Sequence, residues 1–522
     1  MKGKNLIENE KEKEDEQFSL NKKEREEIQK IINNENQEEE DDEEERKEFD
    51  SDIIKINDKA RTTIYMCLVA VSCFSSCDGG ILPQQVDNLK SDFKTTKDST
   101  VGFFGSVDFI GRVIGALIFA VIMGKMNRKM LLFSLLLLKS LTLLIALFTE
   151  NKIINIIARG ISGIPQVFFT TYLAVWCDQY GKEKKRTLMV TFIQLFGALG
   201  IVIGYGMGTI CDKISSDDFS GWRLAFGLEG IILIVCSFII FSFKNKYFSC
   251  NFILIKDNEG REEQTNNEIN IKGILQNFKK ILSNKLYLFT TLSNSVIWFG
   301  MSVVQYWGDK YMENVLHMKK SERFIAFGCL CILGPILGIL VGGIICSKLG
   351  GYEKRKSMVF IIFLQIIGSI IAELAAIHTI KMLFIILTWF FLFFTCAAIP
   401  PESGIIISSL ENNLRGDGFA LTNSINNLIG NFPASYAFSL ISDLFEKKIS
   451  DENENYRHYR YAWCITLGYN FVGVIFIITA GIHRFKIKGD LSKDKLKNID
   501  RESIGSLDQS INNTNNDSIL TS

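Results

Sequence analysis

The sequence predicts an all-α membrane protein with twelve transmembrane helices in two six-helix halves. Long apolar runs recur along the chain, such as Ile231–Phe241, Cys329–Cys346 and Met382–Ala398. Many of them reach or approach the roughly 20 residues that cross a bilayer as a helix. Hydrophobic residues make up 47% of the 522 positions. The polar stretch 245–285 divides the apolar runs into two sets of six, which indicates two halves.

The polar segments define the predicted domains. Residues 1–60 include "NENQEEEDDEEERKEFDSD", which is too acidic and too poor in aromatic residues to fold alone. The predicted domains are a disordered acidic tail (1–60), an N-terminal half (61–244), a linker with an amphipathic helix (245–285), a C-terminal half (286–484) and a disordered tail (485–522). The twelve predicted spans are 62–86, 101–124, 129–148, 153–177, 187–210, 222–244, 286–308, 323–346, 356–376, 381–408, 417–442 and 461–484.

Lysine and arginine in the short loops predict the orientation. The loops "KMNRK" (125–129), "GKEKKR" (181–186) and "KLGGYEKRK" (348–356) alternate onto one side together with both tails. Because cytoplasmic loops carry the excess of Lys and Arg, we expect both termini in the cytoplasm. The first residues contain no apolar signal region, so we expect the first apolar segment to direct insertion. A plasma membrane and a lysosomal or vacuolar membrane remain alternatives.

The composition argues against several classes of protein. The formal net charge is 0, which gives no reason to expect a nucleic-acid partner. The 12 cysteines lie mostly in apolar runs, and with 4 histidines they lack the spacing of a zinc site. The chain has no nucleotide-binding glycine loop and no Ser-His-Asp pattern. We therefore expect no metal, no cofactor and no enzymatic activity.

Charged residues within apolar segments are the first candidates for a site, because burying a charge in a bilayer is costly. Asp78 lies in "SCFSSCDGGILPQQ" (72–85), with no oppositely charged neighbour in the sequence. Asp108 and Arg112 are four residues apart on one helix face, as a structural pair or as a switchable pair lining a cavity. Arg159, near the outer end of its span, is equally compatible with snorkelling or capping and with function.

Three other membrane charges favour structural roles. Lys139 is in the middle of the third span, and third spans usually lie outside the central cavity of a transporter. We therefore expect Lys139 to snorkel or to face lipid. Glu229 and Glu373 are expected to be structural.

The second half contributes polar candidates from three spans. Glu402 follows Pro400 and Pro401, which should kink or unwind the helix. There it either faces a cavity, where it could carry a proton, or reaches water near the cytoplasmic end. In the seventh span, we expect Asn294 and Trp298 to face the cavity. In the eleventh span a polar stripe faces either a cavity or neighbouring helices; it comprises Asn423, Asn426, Asn427 and Asn431.

Two basic loops resemble the signature loop of the major facilitator superfamily. They are "AVIMGKMNRK" (120–129) and "GIICSKLGGYEKRK" (343–356). The positions that fit this motif are Asn127, Arg128 and Lys129 in the first copy and Gly343, Gly350 and Gly351 in the second. The Asp of the signature is replaced by Gly124 and Ser347. Asp178, at the cytoplasmic end of the fourth span, is expected to pair with Arg128 or Lys129 instead.

Within that superfamily the chain is most similar to the spinster-like branch. The resemblance covers about 62–484 and rests on "DGGILPQQVDNLKSDF" (78–93), "MGKMNRKML" (123–131) and the segment 399–443. It implies export of lysophospholipids or sphingoid-type lipids, with proton coupling in some members. Two positions depart from the branch: Gly79 stands where Arg is typical, and Gln166 stands where Glu is favoured, which makes Gln166 a further site candidate.

These observations predict a secondary transporter that works by alternating access between two halves. The first expected substrate is a lysophospholipid or similar amphiphile, and the expected driving force is either a solute gradient or a proton gradient. The alternatives are a transporter of a small polar metabolite (a sugar, amino acid, vitamin or organic anion) and a non-transporting receptor or scaffold. Membrane lipids are the expected surroundings, and a monomer is compatible with the pattern.

Overall fold

The structure, a computed structural model, describes residues 58–122, 126–180, 186–215, 219–248, 271–352, 354–411, 414–446 and 457–485. These residues form helices and no β-strand. Within these described ranges, eleven helices are long and apolar enough to cross a membrane. They are α1 (Asp58–Gln84), α2 (Asp98–Ile122), α3 (Arg128–Phe148), α4 (Lys152–Tyr180), α5 (Arg186–Ile214), α6 (Gly221–Ser242), α7 (Lys285–Asn314), α8 (Lys320–Lys348), α9 (Arg355–Ile377), α10 (Lys381–Ser408) and α12 (Arg457–Phe485).

The remaining predicted span is α11, which consists of three helical pieces. The α-helix Arg415–Ile425 continues into the π-helical segment Asn426–Asn431 and then into the α-helix Phe432–Glu446. Its asparagines lower its hydropathy, so it falls outside the eleven helices selected by apolar composition. π-Helical segments within α-helices are frequent at functional sites.

The structure describes the predicted linker and tails only in part. A helix over Ile271–Ser283 lies where the amphipathic linker helix was predicted. The predicted tails fall outside the described residues, apart from 58–60, which begin α1, and Phe485, which ends α12. The domain boundaries and the orientation of the termini remain predictions.

Each half repeats one set of helix pairs. In the N-terminal half α2 packs on α4, α3 on α6, and α1 on α5. In the C-terminal half the corresponding pairs are α8 on α10, α9 on α12, and α7 on α11. The halves meet through α2 and α11, through α1 and α7, and through α5 and α8. The two sets of six helices are therefore built on the same plan.

The first helix breaks next to its carboxylate. The α-helix Asp58–Phe74 ends in a turn, and a second piece, Asp78–Gln84, begins at Asp78. The amides that follow the break donate to the carbonyls of Ser76 and Cys77. This leaves the Ser75 carbonyl available to a side chain. By contrast, α10 is continuous through Pro400 and Pro401. Of the two outcomes expected there, a kink or an unwound segment, the unwound segment is therefore wrong.

Described contacts between the halves concentrate at one end of the bundle, which the predicted orientation makes the outer end. The backbone amide of Asp98 donates to Asp443 Oδ1 at 2.8 Å. The Tyr306 hydroxyl donates to the Val101 carbonyl at 2.8 Å, and Lys310 pairs with Asp87. In this conformation the two halves are therefore closed together at the outer end.

The linker helix Ile271–Ser283 is attached to the C-terminal half. Lys280 Nζ lies 2.6 Å from Glu411 Oε2, and Asn277 donates to Asp417 Oδ2 at 3.0 Å. Ile281 is buried at this contact. The linker thus rests on the connection between α10 and α11, at the opposite end from the closed contact.

Candidate functional site

Five charged side chains from four helices meet in the N-terminal half, and we call them the charge cluster. They are Asp78 of α1, Asp108 and Arg112 of α2, Lys139 of α3 and Arg159 of α4. All but Arg112 are buried, and 26% of the Arg112 side chain is exposed. Buried charges are found in pairs or networks, because an isolated one costs several kcal/mol. The cluster combines three cations with two carboxylates and has a net charge of +1.

Lys139 is fully buried, so the expectation that it faces lipid is wrong. Its ammonium donates to the Ser75 carbonyl at 2.7 Å, to Asp78 Oδ2 at 3.2 Å and to Gln166 Oε1 at 2.9 Å. Because an ammonium has three donors, these acceptors satisfy it completely. The break in α1 supplies one acceptor, and α4 supplies another through Gln166.

Asp78 has partners after all, on other helices rather than in the neighbouring sequence. Its Oδ2 accepts from both Lys139 and Arg159 Nη1. Its Oδ1 accepts from the amide of Gly79 at 2.9 Å. Arg159 is buried with this partner, so neither snorkelling nor helix capping describes it. These contacts join α1, α3 and α4 through one carboxylate.

Asp108 and Arg112 form the intrahelical pair that their spacing suggests. Arg112 Nε and Nη2 lie 2.9 and 2.8 Å from Asp108 Oδ2. Asp108 Oδ1 accepts from Ser162 at 3.2 Å and lies 3.9 Å from Arg159 Nη1. The pair is therefore connected to Asp78 through Arg159. Asp108 contacts buried groups of α4, whereas the Arg112 cation is partly exposed.

Close packing of α2 on α4 positions these groups. A Cβ at Gly163 would lie 2.0 Å from the Asp108 carbonyl oxygen, and one at Gly111 would lie 1.8 Å from the Gly160 carbonyl oxygen. Only glycine permits such an approach between helix backbones. It brings Arg159 and Ser162 of α4 within reach of Asp108.

A second polar group in the C-terminal half surrounds Glu402 of α10. Glu402 is fully buried and accepts from Ser293 at 3.1 Å, from Asn294 at 3.1 Å and from Gln365. All three donors are uncharged, and the described residues place no cation in hydrogen-bond contact with Glu402. The alternative of a carboxylate that reaches water does not fit this burial.

The Glu402 group extends to α11. Asn294 accepts from Trp298 Nε1 at 3.1 Å and from Asn426 at 2.8 Å. Ser295 donates to the other end of Asn426 at 2.8 Å, and Ser302 donates to Asn431 at 2.7 Å. Both asparagines belong to the π-helical segment. Much of the polar stripe thus forms interhelical hydrogen bonds, one of the two alternatives that the sequence left open.

The two groups occupy equivalent helices of the two halves. Gln166 follows Pro165 in α4, as Glu402 follows Pro401 in α10. Gln166 contacts Lys139 of α3, whereas Glu402 contacts Gln365 of α9. The same helix pair therefore carries a cation with an amide in one half and an amide with a carboxylate in the other.

The remaining candidates are dispersed. Asn423 is exposed, and Asn427 is partly buried and accepts from Asn431 at 3.1 Å. Asn127 caps α3 by accepting from the Lys129 amide at 3.1 Å, and Arg128 is the first residue of α3. Gly350 has a φ of +92° in the turn between α8 and α9, and Gly343 lies within α8 with open space around a Cβ. The side chain of Asp178 and residue Gly124 lie outside the described residues.

Comparison with known proteins agrees with this architecture. The model of the Major Facilitator Superfamily matches residues 67–434. The chain belongs to this superfamily. It is therefore a multi-pass membrane transporter and not an enzyme, and the predicted membership of the superfamily is confirmed.

Individual relatives are distant. The sphingosine-1-phosphate transporter SPNS2 of Xenopus tropicalis is 21% identical over 416 residues, covering 74% of this chain and 73% of the relative. The human solute carrier organic anion transporter family member 1B3 is 26% identical over 33% of this chain and 29% of its own length. A crystal structure of a bacterial homologue of the human lysosomal transporter spinster, in an inward-facing and unoccupied conformation, superposes with a TM-score of 0.66 at 13% identity. That match covers 84% of this chain and 99% of the bacterial one. The fold is thus that of a facilitator transporter with spinster relatives.

Proposed function

We propose that this transporter moves a lysophospholipid or a similar single-chain amphiphile by alternating access. The observation that carries the proposal is the charge cluster, a group of charges with a net positive charge inside an apolar helix bundle. A charged headgroup could bind there while an acyl chain contacts the surrounding apolar helices. A distant relative is a sphingosine-1-phosphate transporter, which agrees with a substrate of this kind.

Arg159 is the best placed headgroup contact. One of its nitrogens pairs with Asp78, but its buried Nε has no hydrogen-bond partner among the described residues. A buried donor without a partner costs about 1–3 kcal/mol. An oxygen of a substrate headgroup would remove that cost. Phe104 and Phe226 line the small cavity beside Arg159 and give it an apolar wall.

The closed outer end supports alternating access. If the halves rock about the charge cluster, the contacts between α2 and α11 must open in another state. We place both termini in the cytoplasm and take the monomer as the transporting unit, since one chain contains both polar groups.

Transport by purified protein in liposomes tests the proposal. We expect protein-dependent flux of lysophosphatidic acid or sphingosine-1-phosphate, compared with liposomes that lack protein. Flux of an organic anion without flux of these lipids would replace the proposal with the metabolite alternative, which the human organic anion relative favours. Absence of any flux would indicate a receptor or scaffold.

Coupling to protons has three candidate sites: Asp78, Glu402 and the Asp108–Arg112 pair. We expect Glu402→Gln to lose accumulation driven by a pH gradient and to retain substrate exchange, because an amide cannot release a proton. The introduced NH₂ would also face donors, which should lower the stability by about 1–3 kcal/mol. Uptake and counterflow measured on the same liposomes separate the two effects. Unchanged accumulation would exclude Glu402 as the coupling site.

A further inference from the structure

Glu229 of α6 is a buried carboxyl group that takes no part in the contacts described above. Its exposed fraction is 0%. Neither of its oxygens has a hydrogen-bond partner in the described part of the chain. The backbone amide of Asp78 is nearby without meeting hydrogen-bond geometry. An ionised carboxylate in such a place would cost several kcal/mol, whereas the protonated acid costs far less.

Glu229 nevertheless lies within electrostatic range of the charge cluster. The segment Asp78–Gln84 and helix α3 both pack on α6. Glu229 interacts electrostatically with Asp78, Lys139 and Arg159, and also with Cys77. Both cations, however, already donate to Asp78. Neither of these cations donates to Glu229 in this conformation.

The other charged groups on elements packed against α6 lie toward its two ends. Lys129 of α3 lies 4.9 Å from the ring centroid of Phe241 in the last turn of α6. The remaining groups lie near the first turn, about two turns from Glu229. Trp222 donates to Asp92 at 2.8 Å, and Gly221 contacts the backbone of Asp212 on α5. Arg223 lies 2.9 Å from Glu150. These groups have partners of their own, so the charge cluster is the charged environment of Glu229.

We propose that Glu229 binds a proton in this conformation and thereby keeps the charge cluster positive for an anionic headgroup. This inference rests on the proposed function and adds a proton site to it. With Glu229 protonated the cluster carries a net charge of +1. Ionisation of Glu229 would bring the net charge of the charge cluster and Glu229 together to zero. Binding of a proton to Glu229 and binding of an anion at Arg159 therefore favour each other. Release of Lys139 or Arg159 from Asp78 in another state would give an ionised Glu229 a partner.

The sign of the pH dependence follows from this linkage. Affinity for an anionic lysolipid should fall as rising pH ionises Glu229, and Glu229→Gln should remove that fall. We would measure binding of lysophosphatidic acid to the full-length protein over a range of pH, with neutral monoacylglycerol as the uncharged comparison. The phosphate headgroup itself titrates, so the ratio of the two proteins' affinities at each pH isolates Glu229.

The expected ratio is near one at low pH. At high pH the variant should bind lysophosphatidic acid at least about fivefold more tightly than wild type, within the range of ordinary couplings between sites. The monoacylglycerol ratio should stay near one throughout. The matched control is Glu373→Gln in α9, another membrane carboxylate with an oxygen that lacks a partner among the described residues. A lysophosphatidic acid ratio for Glu229→Gln that does not change with pH would overturn the proposal.

Two further measurements keep the test independent of folding and of the proposed substrate. Glu229→Leu should fold at least as stably as wild type, because the side chain it replaces makes no hydrogen bond, and it should show the same affinity at high pH as Glu229→Gln. Infrared spectra of the wild type should contain the carbonyl band of a protonated carboxylic acid at neutral pH. Glu229→Gln should lose the part of this band that belongs to Glu229, and Glu373→Gln should keep it. Absence of the band in wild type would contradict the proton site, whereas absence of lipid binding at every pH would contradict the proposed function alone.

Discussion

Replacing Asp78 by asparagine should reduce transport by at least about tenfold and lower the stability by about 3–5 kcal/mol. Lys139 and Arg159 both donate to Asp78 Oδ2, so the substitution leaves two buried cations without the negative charge that they share. Removing one partner from a buried ion pair typically costs this much. Thermal unfolding in detergent and counterflow in liposomes measure the two effects.

A double substitution separates the charge from the shape of the side chain. Asp78→Asn combined with Lys139→Gln removes one charge of each sign and should recover a large part of the lost stability. Glu150→Gln is the control, since Glu150 pairs with Arg223 but 60% of its side chain is exposed. A pair with an exposed partner contributes about 0–1 kcal/mol. A stability of Asp78→Asn within 1 kcal/mol of wild type, with no rescue by Lys139→Gln, would contradict the cluster as described.

The first span shows how far sequence reasoning can reach. The cost of burying a charge identifies Asp78 as important without any structure. Its partners cannot be read in the same way, because Lys139 and Arg159 belong to other helices, 61 and 81 residues away. The break in α1 lies just before Gly79 and Gly80, and it leaves the Ser75 carbonyl available to Lys139.

The prediction that Lys139 faces lipid was wrong for a specific reason. The apolar run of α3 is nearly uniform around Lys139, so hydrophobic periodicity does not assign it a face. The expectation of a lipid-facing lysine rested on where third spans usually lie. The interior position follows from three acceptors on α1 and α4, which only the folded chain brings together.

The sequence identified part of the polar group in the C-terminal half. Glu402 and the asparagines of α11 stand out as polar residues in apolar helices, and their spacing indicates an interior face. The sequence did not reveal Gln365 and Ser293 as partners of Glu402, because an uncharged polar residue in a membrane helix is common. Their equivalence to Lys139 and to the break region of α1 becomes visible only when the two halves are compared as folded units.

Substituting Gly102 by alanine should hold the outer end apart and slow transport by about tenfold or more. A Cβ at Gly102 of α2 would lie 2.2 Å from Ser439 Oγ and 2.7 Å from the Ser435 carbonyl oxygen of α11. The serine side chain can rotate, but the backbone carbonyl must move, so α2 and α11 must separate. Overpacking of this kind costs about 1–3 kcal/mol. Since only the outer-closed state contains the contact, that cost changes the ratio of the two states by about 5–150-fold.

Gly308→Ala is the matched control in α7. Its nearest neighbours would lie 3.8 and 3.9 Å from the new Cβ, which is ordinary contact. Both substitutions improve helix propensity by about 1 kcal/mol, and they differ in that only Gly102→Ala adds strain between the halves.

Spin labels at Lys94 and Glu446, exposed positions on the two halves at the outer end, would report the separation of the halves. The labels should be introduced through non-natural amino acids, because the chain has 12 cysteines. We expect a longer distance distribution in Gly102→Ala and an unchanged one in Gly308→Ala. If Gly102→Ala kept the wild-type distances and transported normally, the contact between α2 and α11 would not be a closure that opens during the cycle.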